Sequence, residues 1–321
     1  MVTRWLDDPG DLDVAELGGK AASLWRLQHA GFPVPRGFVI CADAYRRWVA
    51  EHRLQPLIDA LLATPDLKLP KVAREASAQL REAIAAAPLP AAIAREALAA
   101  YTRLQQEHGP GLVVAVRSSA LSEDSATASS AGLYETALNV RDAETLLAEI
   151  QRCYCCVWSP RAIQYRAFKG IDSGREAMAV VVMEMVPAQV AGVAFTVNPI
   201  TGNADEIVIN ASWGLGEGIV SGRVTPDNFV VRKRDLAIIQ QQVFEKELMI
   251  QPDPSGRSGT VAVAVPPQRA TAPALDDAGL VELARLCLEI EQRFGGPQDV
   301  EWAMGDGRFY VLQSRAVTAL R

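Results

Sequence analysis

Near the C-terminus, Asp299, Val300, Glu301, Trp302 and Ala303 precede a Gly305-Asp306-Gly307 turn, and Val311, Leu312, Gln313, Ser314 and Arg315 follow it. The two arms read as a β-hairpin. Side chains alternate across a strand, so Asp299 and Glu301 share one face, and Gln313 and Arg315 share a face on the returning strand. One hairpin surface then carries two carboxylates, an amide and a guanidinium, backed by an apolar face of Val300, Trp302 and Leu312. Carboxylate oxygens suit Mg²⁺ and a guanidinium suits phosphate, so this surface has the chemistry of a metal–phosphate clamp. A solvated face closed by a salt bridge is the plainer reading of the same residues.

A second set lies upstream. Arg117-Ser118-Ser119 follows a buried strand expected over residues 112–116, and it opens the stretch 117–132, RSSALSEDSATASSAG. Small residues let backbone N–H groups approach an anion, and their hydroxyls add donors. The GxxxxGK[ST] spacing of a Walker loop is absent. A long loop inside a domain is commonly a lid or a binding loop, although a surface loop fits the composition too. Lys20, behind Gly18-Gly19, fits a phosphate contact or a plain surface lysine. Gly214-Leu215-Gly216-Glu217-Gly218 fits a turn for close backbone approach or an ordinary loop.

The elements that must position these residues change character along the chain. Leu17, Ala21, Leu24 and Leu27 have helical spacing within a helix expected over 14–30, with Gly18-Gly19-Lys20 at or just before its start. A short strand is expected over 37–41. An Ala-rich helical stretch runs over 43–107, broken near Pro65, Pro70 and Pro88–Pro90. A helix over 144–158 is followed by another that starts with Ser159 as N-cap and Pro160 at the first helical position. Beyond these, the segments 177–183, 192–196, 206–211 and 228–231 read as strands between Gly, Pro and Asn turns. A last helix is expected over 276–294. The fold class is mixed α/β, with a helix-rich lobe over 1–185 and a sheet-rich lobe over 186–321.

With 321 residues, 49% hydrophobic and 22% charged, the chain has the composition of a globular protein of one or two lobes. A net charge of -6 argues against a general nucleic-acid binder. No apolar run is long enough to span a bilayer, and residues 1–10 lack the apolar core of a signal peptide. The expected location is the cytoplasm. Cys41, Cys153, Cys155, Cys156 and Cys287 are odd in number and lack metal-site spacing, so packed thiols are expected.

Taken in order, GGKAASLWRL, AGFPVPRGFVI, VRSSALSEDSATASSAGLYET, WSPRAIQYR, MVPAQVAGVAFTVNPITG, WGLGEGIVSGRVTPD, IEQRFGGPQDVEWA and LQSR resemble the N-terminal nucleotide-binding domain of the phosphoenolpyruvate synthase and pyruvate phosphate dikinase family. The resemblance covers almost the whole chain. It implies an ATP-grasp-type fold with ATP between two lobes, and ATP and Mg²⁺ as cofactors. It assigns Lys20 and Arg117 to phosphate, and it makes Gly132 and Thr136 the end of a phosphate-covering loop over 117–132. It places Met183, Glu184 and Val186 in a hinge that meets adenine through backbone groups. Glu301 and Gln313 take the part of Mg²⁺–phosphate ligands, and Arg315 that of a further phosphate contact. Arg117, Arg315 and Lys20 become the catalytic residues. Met183 stands where the family usually has Gln.

Family enzymes continue into a swivelling domain whose histidine carries phosphate, then into a barrel that binds the acceptor. His29, His52 and His108 lie in no Gly- and Ser-rich carrier motif. The resemblance therefore implies the ATP-binding subunit of a split dikinase. Its partner would be a separate subunit holding the phosphohistidine and acceptor domains, and the acceptor would be pyruvate, phenol (as in phenylphosphate synthase) or an antibiotic hydroxyl. The rivals are a self-contained ATP-grasp ligase or kinase, which would release ADP, and a non-catalytic nucleotide-sensing subunit.

Overall fold

The computed structural model describes residues 2–11, 13–121, 136–256 and 258–317. The chain forms two compact units: Met1–Trp25 with Arg36–Met185, and Arg26–Pro35 with Val186–Arg321.

The first unit contains β1 (Thr3–Trp5), most of α1 (Val14–His29), β2 (Gly37–Ile40), α2 (Ala42–Glu51), α3 (Gln55–Leu62), α4 (Pro70–Ala86), α5 (Ala91–His108), β3 (Val114–Ala120), β4 (Thr136–Val140), α6 (Ala143–Cys156), α7 (Pro160–Lys169) and β5 (Met178–Glu184). Its sheet is antiparallel in the order β1-β2-β5-β3-β4. Caps mark the helix starts: the Asp142 side chain accepts from Thr145 N, and Ser159 accepts from Ala162 N, with Pro160 next. Gly170 closes α7 in the left-handed conformation. The Ala-rich stretch has a break not expected from its prolines, between α2 and α3, where Arg53 takes a positive φ of 52°.

The second unit holds β6 (Val190–Phe195), β7 (Glu206–Trp213), the single turn α8 (Glu217–Val220), β8 (Asp227–Arg232), β9 (Ile238–Gln242), β10 (Leu248–Pro252), β11 (Thr260–Ala264), the single turn α9 (Pro267–Ala270), α10 (Asp277–Phe294), β12 (Gln298–Gly305) and β13 (Arg308–Ala316). A six-stranded antiparallel sheet runs β13-β12-β6-β7-β8-β9, and β10-β11 pair separately. Asp276 caps α10 on Gly279 N. This helix covers the face that holds Trp302 and Phe309, whose rings meet edge to face at 5.6 Å. On that face Lys233 Nζ reaches Glu291 at 2.6 Å and Gln241 Nε2 donates to Asp277 Oδ1 at 2.9 Å. Asp227 and Lys246, both without solvent exposure, pair at 2.6 Å. Asp227 also accepts from Phe244 N and Ala274 N, so one carboxylate ties β8 to two connecting segments.

Among the described residues no single helix is long and apolar enough to cross a membrane. None of the five cysteines is in a disulfide, and all are buried. Burial, with the Glu16 carboxylate adding to it, pushes the Cys41 thiol up to about 12, and burial does the same to Cys287. Cys153 is raised by the same cause. The thiolate is the reactive form, so the native protein at pH 8 is expected to show almost no reaction with a disulfide reagent, and all five thiols should react in urea. Rapid titration of even one thiol in the native protein would contradict this packing.

Candidate functional site

The structure differs from the sequence expectations at three places. Arg117, Ser118, Ser119 and Ala120 are not loop but the second half of β3, because they pair with Val181, Val180, Ala179 and Met178 of β5. A partner strand 60 residues away supplies those backbone bonds, and no local signal reports it. Second, Gly18 lies inside α1 and not at its start; at φ 73° and ψ 170° it divides the helix in two. Third, Leu312 does not back Trp302. Glu301 pairs with Gln313 but Trp302 pairs with Val311, so Leu312 is the extra residue of a bulge. It packs with Val186, Ala191 and Ala303, and alternation places Ala303 on the Glu301 side of the sheet.

In the first unit, Gly18 lets α1 press onto β3. A Cβ there would lie 2.2 Å from Ser119 O. Ser119 Oγ accepts from Ala21 N at 3.0 Å and donates to Leu17 O at 2.9 Å, bridging the break. Lys20, buried, donates from Nζ to Ser118 O at 2.9 Å. Arg117 lies opposite Thr136 on β4 and Val181 on β5, and Met183 shares its face by alternation. Arg117 and Met183 thus lie on the inner strands of one sheet, with Thr136 beside Arg117 on the edge strand and Lys20 held against β3. The Glu184 side chain leaves this group, because its carboxylate meets His108 Nδ1 at 3.2 Å, and its N–H donates to Arg36 O. Gly132 lies outside the described residues. Sequence reasoning missed the bridging role of Ser119, since its partners stand about a hundred positions away.

A substitution of Gly18→Ala is expected to cost about 1–3 kcal/mol, from overpacking against Ser119 and from an unfavourable positive φ. The urea midpoint measures it; an unchanged midpoint would mean that α1 does not approach β3 so closely.

In the second unit, Asp306 and Gly307 both take positive φ (51° and 70°), the two-residue turn that suits the twist of a hairpin. The hairpin places Asp299 opposite Arg315 and Glu301 opposite Gln313. Arg315 donates from Nε and Nη2 to Asp299 Oδ2, at 2.8 and 2.6 Å. Asp299 is largely buried, and burial pushes its carboxyl up against the opposing pull of Arg315, with the Glu301 charge adding to the rise. Beside these residues lies the apolar cluster of Val186, Ala191 and Ala303, joined by Ala188, Tyr310 and Leu312. The Val186 N–H makes no hydrogen bond with a described residue, while its carbonyl accepts from Ala188 N at 2.7 Å. This part of the unit therefore combines an apolar floor, a backbone donor, two side-chain oxygens and a partly buried ion pair.

The flagged glycine loop serves close approach within this unit. Gly214, at φ 80°, passes so near β10 that a Cβ would lie 2.3 Å from Ile250 O.

Residues 14–321 match the family described as "Pyruvate phosphate dikinase, AMP/ATP-binding domain". The chain belongs to that family, and its mixed α/β architecture is of the ATP-grasp type. It is 43% identical over 318 residues to the probable phosphoenolpyruvate synthase of Methanocaldococcus jannaschii, covering 99% of this chain and 27% of that one. It is 36% identical to the phosphoenolpyruvate synthase of Pyrococcus furiosus over 99% of this chain and 44% of the relative. It is 39% identical to the prodigiosin synthesizing transferase PigC of Serratia marcescens, over 96% and 32%. The chain thus spans less than half the length of these relatives.

Proposed function

We propose that this chain binds Mg-ATP and is the ATP-using part of a phosphoenolpyruvate synthase-like dikinase. The observation that carries the reading is the paired row of Asp299–Arg315 and Glu301–Gln313, set beside an apolar floor in a chain of the AMP/ATP-binding family. Mg²⁺ is normally held by one or two protein oxygens plus substrate phosphates, and the Glu301 carboxylate with the Gln313 amide oxygen fits that need. When bound, the ion supplies charge neutralisation at the phosphates. Lys20, Arg117 and Arg315 neutralise the rest, and Arg315 is held in place by Asp299. Adenine stacks on the Val186, Ala191 and Ala303 floor and accepts from the Val186 N–H.

In this reading a histidine nitrogen on a separate subunit attacks the β-phosphorus of ATP. AMP leaves with the electron pair of the broken P–O bond, and water releases the terminal phosphoryl group as phosphate. The phosphohistidine then serves pyruvate or, as in phenylphosphate synthase, phenol. His52 and His108 support an external carrier, because each is engaged at a helix end, His52 with Pro88 O and His108 with Glu184.

Incubation with β-³²P-ATP, Mg²⁺ and a partner bearing a carrier histidine is expected to label that partner and to form AMP. Label on His29, His52 or His108, or release of ADP to an acceptor by the chain alone, would replace the split dikinase with a self-contained kinase or ligase.

A further inference from the structure

The sheet face that bears Glu301 and Gln313 continues across β6, β7 and β8. Register aligns Glu301 with Val193, Asn210 and Asn228, and it aligns Ala303 with Ala191 and Ser212. Asn210 therefore shares the face and level of Glu301 at a distance of two strands, roughly 9–10 Å. Ser212 stands at the level of the apolar floor, adjacent to Ala191.

These positions are chemically unlike the hairpin. Val193, Asn210, Ser212 and Asn228 carry no charge, whereas Asp299, Glu301 and Arg315 do. The half-buried Asn210 and Asn228 make no side-chain hydrogen bond with a described residue. The Ser212 hydroxyl is buried, at 2% exposure, and has no partner among the described residues. An unmet buried hydroxyl is costly, and such groups normally have a partner. The face thus runs from an apolar floor to a neutral hydrogen-bonding strip on one side and to a charged row on the other.

We propose that Asn210, with Ser212 beside it, recognises the ribose hydroxyls of the nucleotide. This rests on the nucleotide reading above. A hydroxyl both donates and accepts, and a carboxamide offers both complements without charge. Phosphate would be met far better by the arginines and lysine already assigned to it. With the base on the Ala191–Ala303 floor and the phosphates on the hairpin, the sugar is the neutral polar part left for β7. Asn228, directly opposite Asn210, flanks the same carboxamide.

Calorimetry with Mg²⁺ and ATP, 2′-deoxy-ATP or 3′-deoxy-ATP tests the assignment in the wild-type protein, Asn210→Ala, the volume-matched Asn210→Leu, and Ser212→Ala. Wild type is expected to bind ATP about 5–10-fold more tightly than at least one deoxy analogue, the range of one or two net hydrogen bonds. Both Asn210 variants should lose that factor for ATP and bind ATP and the analogue equally. Ser212→Ala should lose part of it. Wild-type discrimination retained in either folded Asn210 variant, or no discrimination in wild type, overturns the sugar assignment and leaves ATP binding intact. No binding of any nucleotide to wild type overturns the nucleotide reading itself.

Discussion

Arg117→Ala is expected to lower the rate of AMP formation by about 10²–10³-fold, the range seen when one preorganised donor to a developing charge is removed. Arg117 occupies the middle of β3, between Val181 and Thr136, so its position is set by two neighbouring strands. Under the proposed function, a backbone fixed on both sides limits the reorganisation needed when charge moves onto the transferring group. Arg117→Lys keeps the charge but loses the planar fork, and should recover only part of the rate. The measurement is AMP release with a carrier partner, with circular dichroism to show that the variant folds. A near-normal rate in folded Arg117→Ala would remove this residue from the catalytic set.

The largest expected effect on stability lies in the second unit. Lys246→Met is expected to destabilise the protein by about 3–5 kcal/mol, because it leaves the Asp227 carboxylate buried without its counter-charge. Two backbone donors, Phe244 N and Ala274 N, would still meet that carboxylate, which places the effect toward the lower part of the range. Pairing Lys246→Met with Asp227→Asn should recover part of the loss, since the neutral pair has no charge to desolvate but the Asn carboxamide accepts from only one of the two backbone N–H groups. Such a cost is a large share of the 5–15 kcal/mol by which domains are usually stable. Urea unfolding of the two single variants and the double variant measures it. If the double variant is no better than Lys246→Met, the loss comes from packing and not from the stranded charge.

Much of the local structure was legible before the fold. The Gly305-Asp306-Gly307 turn reads as a hairpin, and the structure closes it on Asp306 and Gly307, both at positive φ. Ser159 with Pro160 predicts the start of α7, since an N-cap acceptor and a pre-set φ act within a few residues. Strands β5 to β8 show as apolar runs between turn residues. The strands β1, β4, β9, β10 and β11 were not legible. The described ones are short or polar, like Gln240, Gln241 and Gln242 in β9, and only their neighbours make them strands.

The sequence by itself determined which residue types are available for phosphate and metal chemistry and, through alternation, that Asp299 with Glu301 and Gln313 with Arg315 share faces. It also carries the family. Only the tertiary structure decided that Arg117 belongs to a strand, that Ser119 spans the break at Gly18, that a bulge turns Leu312 toward Ala303, and that Asn210 and Ser212 extend the face of Glu301. Capping, turn chemistry and alternation act over a few residues and are written locally. Strand register and close backbone approach are set by partners tens to about a hundred residues away, so they take definite form only when the chain has packed.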